Sequence, residues 1–573
     1  MLFPIEKLDF LISNIQYFIP NYYEISTIII LFFLFLFFFK LGTVFEGTVQ
    51  NGILINVLCG WSFTLIIVLT LQIFFIKNIT YVSIITFILG LILIIIYGKK
   101  IKVSDFFNKK ILILSCILPV LLVLASHKLR NWDTFTHWML LSDSIFYTNN
   151  LPINVFHDYY VPGLYYLEFL LKRIISNPEI ENFYIIFNLY LIITVVFSIL
   201  KIFNNNLKFF PIVFVWVIIS PIFINYFTFS SYNDFALSCV LFAIYFFIYN
   251  EKLNIFNNNQ NTIIFSLLSV LMVLIKTEGI IHIFLISSLI FINEIYLNKF
   301  KNFRNILKYF FIVSFIYFLW KFHLYSNSID VRSIGNPFQN KIYFNEFLVG
   351  LKNNILDKKV FYIFTFLLLF YSFVGKNLIF NKIIKFYIIH LIFFSIFIVI
   401  FTFGAFPPEH IKKASSFWRY TSQLNGGLLI LISIYLFKHN FIKNILSKLT
   451  VLFFIISLII PLIFIHKFRQ DIFVQEFHIQ KNITLLKKHI NKGDKVAVIS
   501  NKPHYHSMIL YYYLPKKIIY SRSKYSAMTI TENKILINDP VLEEADFVIY
   551  LDKDYSSEEN YLIIIKNKEL KKL

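Results

Sequence analysis

Long apolar runs alternate with short polar turns through most of the sequence. A helix that crosses a bilayer needs about 20 apolar residues, and about fourteen runs approach that length. Their approximate limits are 25–40, 52–76, 80–97, 110–128, 183–203, 209–226, 234–249, 261–275, 279–297, 305–324, 358–374, 383–403, 424–438 and 449–466. The pattern predicts an all-α polytopic membrane protein with about 14 transmembrane helices.

One apolar stretch is too short and too charged to be counted as a span. The segment GLYYLEFLLKRI at 163–174 ends with Lys172 and Arg173. A helix of about twelve residues with a charged end is typical of the membrane interface. We therefore predict an interfacial helix here, which leaves 129–182 as one outer loop.

The sequence changes character after residue 466. Charged residues become frequent from 467 to 573, and short alternating patterns replace the long apolar runs. Helices are predicted near 473–490 and 504–513, and strands at 495–500 and near 517–520, 546–551 and 561–566. The turn SNKPHYH after the first strand lacks the glycine spacing of a phosphate-binding loop, so no cofactor is assigned to it. The predicted domains are N-terminal extra transmembrane helices at 1–104, a transmembrane module at 105–466 and a small soluble α/β domain at 467–573.

Composition agrees with a membrane protein and excludes a water-soluble one. Hydrophobic residues make up 58% of the 573 residues and aromatic residues 20%, which is more apolar surface than a soluble core of that size can bury. The net charge of +21 would suit nucleic acid, but the lysines and arginines concentrate in alternate short loops. That distribution is the positive-inside signal, so we predict no nucleic-acid partner. The three cysteines fall in separate predicted spans and indicate no disulfide framework.

The basic loops also predict which side of the membrane each polar segment faces. The richest of them, KKIKVSDFFNKK at 99–110, is assigned to the cytoplasm. Counting spans from this loop places outside the segments 129–182, 227–234, 276–278, 325–357, 404–423 and the tail from 467. We therefore predict an inner-membrane protein whose candidate site and C-terminal domain are extracytoplasmic.

The outer loop 129–182 has the densest polar chemistry of the chain. Asp133 and His137 lie in SHKLRNWDTFTHW, and His157, Asp158 and Tyr160 lie in VFHDYYVPG. Asp133 and His137 would share one face of a helix, because they are four residues apart. A carboxylate at the membrane surface can act as a general base toward a hydroxyl or an amine, or can help the histidine to hold a divalent metal. The alternative for Asp133 is an interfacial helix cap.

Three further ionisable residues lie at the ends of predicted spans. Asp234 follows SSYN at the outer mouth of a span, where an acid is either a cap or a second carboxylate of a site. Lys276 and Glu278 lie in LIKTEGIIH, between two apolar runs that are too close together for a long loop. A lysine there can bind a phosphate, and the alternative is a salt-bridged tight turn.

The motif SSFWRY at 415–420 places Arg419 and Tyr420 in an outer loop, against the positive-inside preference. A guanidinium group is the best match for a pair of phosphate oxygens. The alternative is an interfacial arginine that extends beside Trp418. Arg419 is therefore a candidate phosphate ligand.

The order of these motifs resembles that of the GT-C glycosyltransferases, which use polyprenyl-phosphate-linked sugars. A span, WDTFTHW, HDYYVPGLYYLEFL, a second acid in YND, a KTEG turn and a late RY motif follow one another over about residues 105–440. Aminoarabinose transferases and protein mannosyltransferases of bacteria are the most similar members. The chain departs from them at Thr134, where many relatives have a second acid, and at Val161, where many have a proline.

The resemblance implies inverting displacement at an anomeric carbon on the outer face of the membrane. Asp133 would be the catalytic base, while Arg419 and Lys276 would stabilise the departing polyprenyl phosphate. The implied substrate-binding residues are His137, His157, Asp158, Tyr160, Asp234, Lys276, Glu278, Arg419 and Tyr420. The implied partners are a polyprenyl-phosphate-linked sugar, a glycan, lipid or protein acceptor of the cell envelope, and membrane lipid. No cofactor is assigned, and a divalent metal is left open.

Two other functions compete with this interpretation. An O-antigen polymerase or ligase also handles polyprenyl-linked glycans outside the membrane, but it would rely on arginines and a histidine in large outer loops. A flippase or transporter of polyprenyl-linked glycans should have acids or broken helices at mid-membrane depth. The acid directly after a span favours the glycosyltransferase.

Overall fold

The apolar runs fold as helices. The computed structural model describes residues 18–46, 52–98, 110–127, 138–153, 158–177, 180, 182–221, 223–224, 228–229, 233–298, 302–329, 335, 337–463, 468–469, 496–500, 547–551, 562–566 and 569–572. The chain divides into two units, one made of Met1–Ser126 and Leu141–Phe464 and the other of His127–Leu140 and Ile465–Leu573. Both sides of the predicted boundary at residue 104 belong to the first unit.

The α-helices of the described residues follow one another in short steps. They are α1 Tyr22–Gly42, α2 Ile53–Phe74, α3 Ile79–Tyr97, α4 Lys110–Ala125, α5 Met139–Thr148, α6 Gly163–Ile175, α7 Phe183–Leu200, α8 Phe210–Ile219, α9 Asp234–Asn250, α10 Asn259–Ile275, α11 Gly279–Asn298, α12 Phe303–Ser326, α13 Phe344–Asp357, α14 Lys359–Val374, α15 Leu378–Ala405, α16 Pro408–Lys412, α17 Ser415–Thr421, α18 Asn425–Phe437, α19 Asn440–Lys448 and α20 Thr450–Ile463. Short 3-10 turns cover Thr43–Phe45, Lys201–Phe203, Leu207–Phe209, Ile255–Asn257, Pro337–Tyr343 and Ser422–Leu424.

Eight helical stretches within the described residues are long and apolar enough to cross a membrane. They are Tyr22–Phe45, Ile53–Phe74, Ile79–Tyr97, Phe183–Phe203, Gly279–Tyr296, Phe303–Ser326, Leu378–Ala405 and Phe417–Phe437. The pair Phe441–Lys448 and Thr450–Pro461, bent by 65°, makes a ninth if it is counted as one span. These helices fit a multi-pass helical membrane protein.

The predicted count of about fourteen spans goes beyond these helices. Each predicted run contains a helix, but five of the runs form helices of only 10–17 residues: Leu112–Ala125, Leu207–Ile219, Asp234–Asn250, Asn259–Ile275 and Lys359–Val374. At 1.5 Å per residue, a helix of seventeen residues is about 25 Å long, shorter than a hydrocarbon core of about 30 Å. A topology of fourteen spans therefore stays a prediction.

The helix predicted at 163–174 is present as α6, but its surroundings differ from those expected. All of its residues from Gly163 to Lys172 are buried. An interfacial helix would leave its charged end in water, whereas the ammonium group of Lys172 is paired with carboxylates inside the bundle. Lys172 thus belongs to the interior of the first unit, whereas Arg173 is half-buried and Ile174 is exposed. The expectation that Lys172 faces water is wrong, and a location of α6 at the membrane interface stays a prediction.

Helix α9 runs through the centre of the first unit. Every residue from Asp234 to Ile248 is buried. A β-carbon on Gly426, in the first turn of α18, would lie 1.9 Å from the carbonyl oxygen of Ser238, so only glycine allows the two backbones to touch there. The amide of Gly426 also donates to Ser238 Oγ at 2.8 Å. This contact holds the start of α18 against the first turns of α9.

The described part of the tail is a four-stranded sheet. Its strands are β1 Val496–Ser500, β2 Phe547–Leu551, β3 Leu562–Lys566 and β4 Glu569–Lys572, in that order across the sheet. Strand β1 pairs with β2 in parallel, and the other two pairs are antiparallel. The helices predicted near 473–490 and 504–513 and the strand near 517–520 lie outside the described residues. The α/β character of the tail therefore stays a prediction.

Candidate functional site

Three helix ends bring three of the predicted residues together. Asp234 is the first residue of α9, Lys276 follows the last residue of α10, and Arg419 lies in α17. Lys276 Nζ is 2.7 Å from Asp234 Oδ1, and Arg419 Nε is 3.1 Å from Asp234 Oδ2. One carboxylate thus binds two cations, one on each oxygen. We call these three residues the Asp234 cluster.

The backbone favours this distribution of charge. The amide groups in the first turn of a helix lack carbonyl partners, so the start of α9 stabilises an acid at Asp234. The end of α10 carries the opposite partial charge and stabilises the ammonium group of Lys276. Asn233 Nδ2 donates to the carbonyl of Ile275 at 3.0 Å and joins the two helix ends. One predicted alternative was that the side chain of Asp234 caps the helix. It does not, since both of its oxygens bind cations.

A strained residue precedes the helix that carries Arg419. Ala414 has a φ of 45°, in the left-handed region that residues with a β-carbon rarely adopt. Asn354 Nδ2 donates to the carbonyls of Lys413 and Ala414, both at 3.1 Å, and these bonds hold the turn. Strain of this kind costs about 1–3 kcal/mol and tends to occur at functional sites. The turn directs the chain into α17.

Tyr420 and Glu278 complete the surroundings of Lys276. The ammonium group lies 4.6 Å from the centre of the Tyr420 ring, within the range of a cation–π contact. Glu278 Oε1 is 3.9 Å from Lys276 Nζ, much farther than Asp234 Oδ1. The predicted alternative of a tight turn closed by Lys276 and Glu278 therefore describes the weaker of the two ion pairs.

The Asp234 cluster has the charge and the access that an anion requires. One acid and two cations leave a formal charge of +1, which Glu278 balances only at longer range. The side chain of Asp234 is fully buried, while 8% of Lys276 and 25% of Arg419 are exposed. An incoming anion can therefore reach Arg419 and the small exposed part of Lys276, but not the acid. The arrangement is suited to binding a phosphate rather than to removing a proton with Asp234.

A chain of buried polar side chains extends from Asp234 into the bundle. Gln423 Nε2 donates to Asp234 Oδ1 at 2.5 Å, and Gln423 Oε1 is 2.7 Å from His282 Nε2. His282 Nδ1 is 2.9 Å from His390 Nε2, and His390 Nδ1 is 2.9 Å from the hydroxyl of Tyr245. None of these four side chains is more than 1% exposed. We call Gln423, His282, His390 and Tyr245 the polar chain.

The sequence contains signals for the polar chain that the predictions did not use. His390 lies inside the apolar run YIIHLIFF, and an ionisable residue within a span is a candidate functional residue by default. Gln423 is four residues after Arg419, so both are expected on one face of a helix. The predictions considered polar groups at the ends of spans and missed those inside them.

The other predicted site residues are only partly described. Asp133, His137 and His157 lie outside the described residues. Asp158 and Tyr160 lie in a turn before α6, and the hydroxyl of Tyr165 donates to the carbonyl of Tyr160 at 3.0 Å. A β-carbon on Gly163 would be 2.3 Å from the carbonyl oxygen of Leu274, so the start of α6 touches the end of α10. The turn thus lies beside the helix end that precedes Lys276.

A second buried cluster of charges lies between α5, α6 and α7. Lys172 Nζ is 2.7 Å from Glu168 Oε1 and 2.9 Å from Asp143 Oδ1, and it donates to Ser142 Oγ at 2.7 Å. The hydroxyl of Tyr184 donates to Glu168 Oε2 at 2.9 Å. We call Lys172, Glu168 and Asp143 the Lys172 cluster. No sequence pattern predicted it.

Burial and pairing act in opposite directions on the Lys172 cluster. Burial raises the pKa of Glu168, although Lys172 acts to lower it. Burial acts to lower the pKa of Lys172, but Asp143 and Glu168 outweigh it, so that the pKa of Lys172 is raised. Lys172 therefore remains charged and holds the two acids.

An open pocket of about 420 Å³ lies beside the turn that leads to Arg419. It is lined by Glu346, Val349, Gly350, Asn353, Asn354, Asp357, Lys412 and Lys413. Its amide and charged groups can form hydrogen bonds with the hydroxyls of a sugar. Within the described ranges, no group of three or more His, Cys, Asp or Glu side chains is placed to hold a metal ion.

Comparison with known proteins gives no relative. No protein-family model matches the sequence, and no curated protein and no solved structure matches it either. The function is therefore inferred from the site itself.

Proposed function

We propose that the chain is a membrane glycosyltransferase of the GT-C type, which takes a sugar from a polyprenyl-phosphate donor. The acceptor would be a glycan, lipid or protein of the cell envelope. The observation that supports the proposal most is the Asp234 cluster, in which one buried acid holds two cations, of which Arg419 is partly exposed and Lys276 only slightly. The outer-face location, the fourteen-span topology and the extracytoplasmic α/β domain are parts of the same proposal.

The positive charge of the Asp234 cluster would attract the donor phosphate, and it would attract the more highly charged leaving group more strongly. A polyprenyl-phosphate-linked sugar is a phosphodiester with one negative charge, equal and opposite to the formal charge of the cluster. When the bond between the anomeric carbon and the phosphate oxygen breaks, the phosphate gains a second negative charge. Lys276 and Arg419 would therefore bind the departing polyprenyl phosphate more strongly than the donor, which is the requirement for lowering the barrier.

The remaining step takes place at the acceptor. In the proposal, Asp133 accepts the proton of the acceptor hydroxyl or amine while the oxygen or nitrogen attacks the anomeric carbon. A single displacement inverts the configuration at that carbon. His137, His157, Asp158 and Tyr160 would bind the sugar, and Tyr420 would form one wall of the phosphate site. The open pocket near Lys412 would bind the acceptor glycan.

Membranes that contain the full chain can test this function. The vesicles would receive radiolabelled sugars linked to short-chain prenyl phosphates together with cell-envelope extracts as acceptors. We expect transfer of label that falls at least about a hundredfold in Asp133→Asn, since a general base contributes roughly 10²–10⁴ to the rate. Asp158→Asn in the same outer loop is the matched control, with a smaller loss. Full transfer by Asp133→Asn would favour the polymerase or ligase instead.

A flippase of polyprenyl-linked glycans is the second candidate, and two observations favour it. His282 and His390 lie inside candidate spans, and α19 and α20 form a pair bent by 65°. Ionisable groups and broken helices within the membrane are typical of transporters. Proteoliposomes distinguish the two functions, because a flippase moves the prenyl-linked sugar across the bilayer without forming a glycosidic bond.

A further inference from the structure

The polar chain has a single consistent direction. Asp234 Oδ1 is a carboxylate oxygen, so the nearer group of Gln423 is its amide nitrogen and the farther one its carbonyl oxygen. Since that carbonyl only accepts, His282 donates to it from Nε2. A neutral His282 then accepts at Nδ1 from His390 Nε2, and a neutral His390 accepts at Nδ1 from the hydroxyl of Tyr245. Gln423, His282 and His390 each donate once and accept once along the line, and Tyr245, at its end, donates once.

Both histidines are neutral in this arrangement, and the position of the chain explains why. Lys276 and Arg419 already outnumber Asp234, and an added imidazolium would be a further buried positive charge inside a span. Protonation of His282 would also make Nδ1 a donor and would reverse the bond to His390. The charge balance and the hydrogen bonds therefore require the same form of both histidines, with the proton on Nε2.

Both ends of the polar chain are attached to helix α9, since Gln423 binds Asp234 and Tyr245 is itself a residue of α9. Asp234 and Tyr245 are eleven residues apart in α9, which is about three turns and about 16 Å along the axis, so they lie on nearly the same face. His282 belongs to α11, His390 to α15, and Gln423 to the 3-10 turn that leads into α18. The polar chain thus ties three other elements to α9 at two depths.

We propose that the polar chain positions the carboxylate of Asp234, and through it the two cations. Gln423 and Lys276 share Oδ1, while Arg419 binds Oδ2. The bond from Gln423 fixes the rotation of the carboxylate, so each cation keeps its own oxygen. The distance between the ammonium and guanidinium groups is set in this way, and recognition of a phosphate depends on such spacing. The side-chain amide of Gln423 does not relay protons as an imidazole does. The polar chain therefore orients Asp234 and does not conduct protons to it.

Spectroscopy of the histidines tests the direction of the chain. The full-length protein would be labelled with ¹⁵N-histidine and placed in lipid nanodiscs, with resonances assigned from His282→Gln and His390→Gln. We expect both histidines of the unsubstituted protein to be neutral, with the proton on Nε2. In Tyr245→Phe the resonances of His282 should change, although His390 is the only member of the polar chain to which Tyr245 is hydrogen-bonded. Tyr309→Phe is the matched control, because Tyr309 is a buried tyrosine that bonds Ser287 and Ser269 instead.

Binding of farnesyl phosphate tests the effect on the cations, and this part depends on the proposed function. We expect Tyr245→Phe to weaken binding about fivefold, as the loss of one buried hydrogen bond predicts, and Tyr309→Phe to leave it unchanged. A protonated or Nδ1–H histidine in the unsubstituted protein would overturn the proposal, as would unaltered His282 resonances or unaltered binding in Tyr245→Phe. If farnesyl phosphate does not bind at all while the histidines behave as expected, the direction of the chain stands and the proposed function fails.

Discussion

The two buried charge clusters of the first unit have opposite compositions. The Asp234 cluster contains one acid and two cations, whereas the Lys172 cluster contains one cation and two acids. The cation of the Lys172 cluster is fully buried, but a quarter of the side chain of Arg419 is exposed. The hydroxyls of Ser142 and Tyr184 bind members of the Lys172 cluster, while Lys276 lies against the ring of Tyr420 and keeps 8% of its side chain exposed.

This difference is the reason to propose that the Lys172 cluster is structural and that the Asp234 cluster binds a ligand. A buried ion pair that is closed on all sides can only hold its helices together, and its removal leaves uncompensated charges. A cluster with excess charge and an exposed edge can exchange some of its interactions for a ligand. Substitutions should therefore affect stability at the Lys172 cluster and ligand affinity at the Asp234 cluster.

Lys172→Met should have the largest effect on stability. It leaves the buried carboxylates of Glu168 and Asp143 without their cation, at a cost of about 3–5 kcal/mol. The temperature of unfolding in detergent, followed by tryptophan fluorescence, should fall sharply. Lys276→Met is the matched control and should cost less, because Asp234 keeps its bonds to Arg419 and Gln423. Equal losses in the two variants would contradict the distinction between the clusters.

Arg419→Lys should reduce affinity for farnesyl phosphate about tenfold, with a change in stability of less than about 1 kcal/mol. An ammonium group lacks the paired donors with which a guanidinium binds two oxygens of one phosphate. Titration of the purified protein by microscale thermophoresis would measure the affinity. Arg173→Lys is the control, since Arg173 donates to the carbonyl of Phe146 beside the Lys172 cluster. Weaker binding in the control but not in Arg419→Lys would reverse the assignment.

Tyr420→Leu should have the smallest effect of the three. It removes the aromatic face from Lys276, a contact of about 0.5–1 kcal/mol, and affinity for farnesyl phosphate should fall two- to fivefold. Tyr343→Leu removes a similar contact with Lys412, 4.9 Å from its ring, and should leave the affinity unchanged. If both variants bind farnesyl phosphate like the unsubstituted protein, Tyr420 is not part of the phosphate site.

The sequence predicted where the helices lie better than it predicted which groups surround them. The run predicted at 279–297 is the helix Gly279–Asn298, and the run at 52–76 contains Ile53–Phe74, because apolar length and polar turns are local properties. The exposure predicted for Lys172 in α6 was wrong because Lys172 pairs with Asp143, which is 29 residues away in sequence. A charged residue at the end of a short helix has the same sequence pattern whether water or a distant acid surrounds it.

The site was predicted to a similar extent. Asp234, Lys276 and Arg419 were chosen because each is polar at the end of a span, and the structure brings these three together. The sequence does not show which side chains of different helices are in contact. Glu278, two residues from Lys276, was therefore taken as the partner of Lys276. The polar chain was missed because only polar groups at the ends of spans were considered, and its partners could not have been named, since a histidine inside an apolar run shows its depth but not the groups around it.

The attachment of the polar chain to α9 at two depths limits how the protein can move. If α11, α15 or the start of α18 slid along α9 by one helical turn, several of these bonds would part at once inside a medium without water to replace them. We therefore expect the four elements to move together as one block. If the proposed function holds, an opening that admits a long isoprenoid must come from segments outside that block.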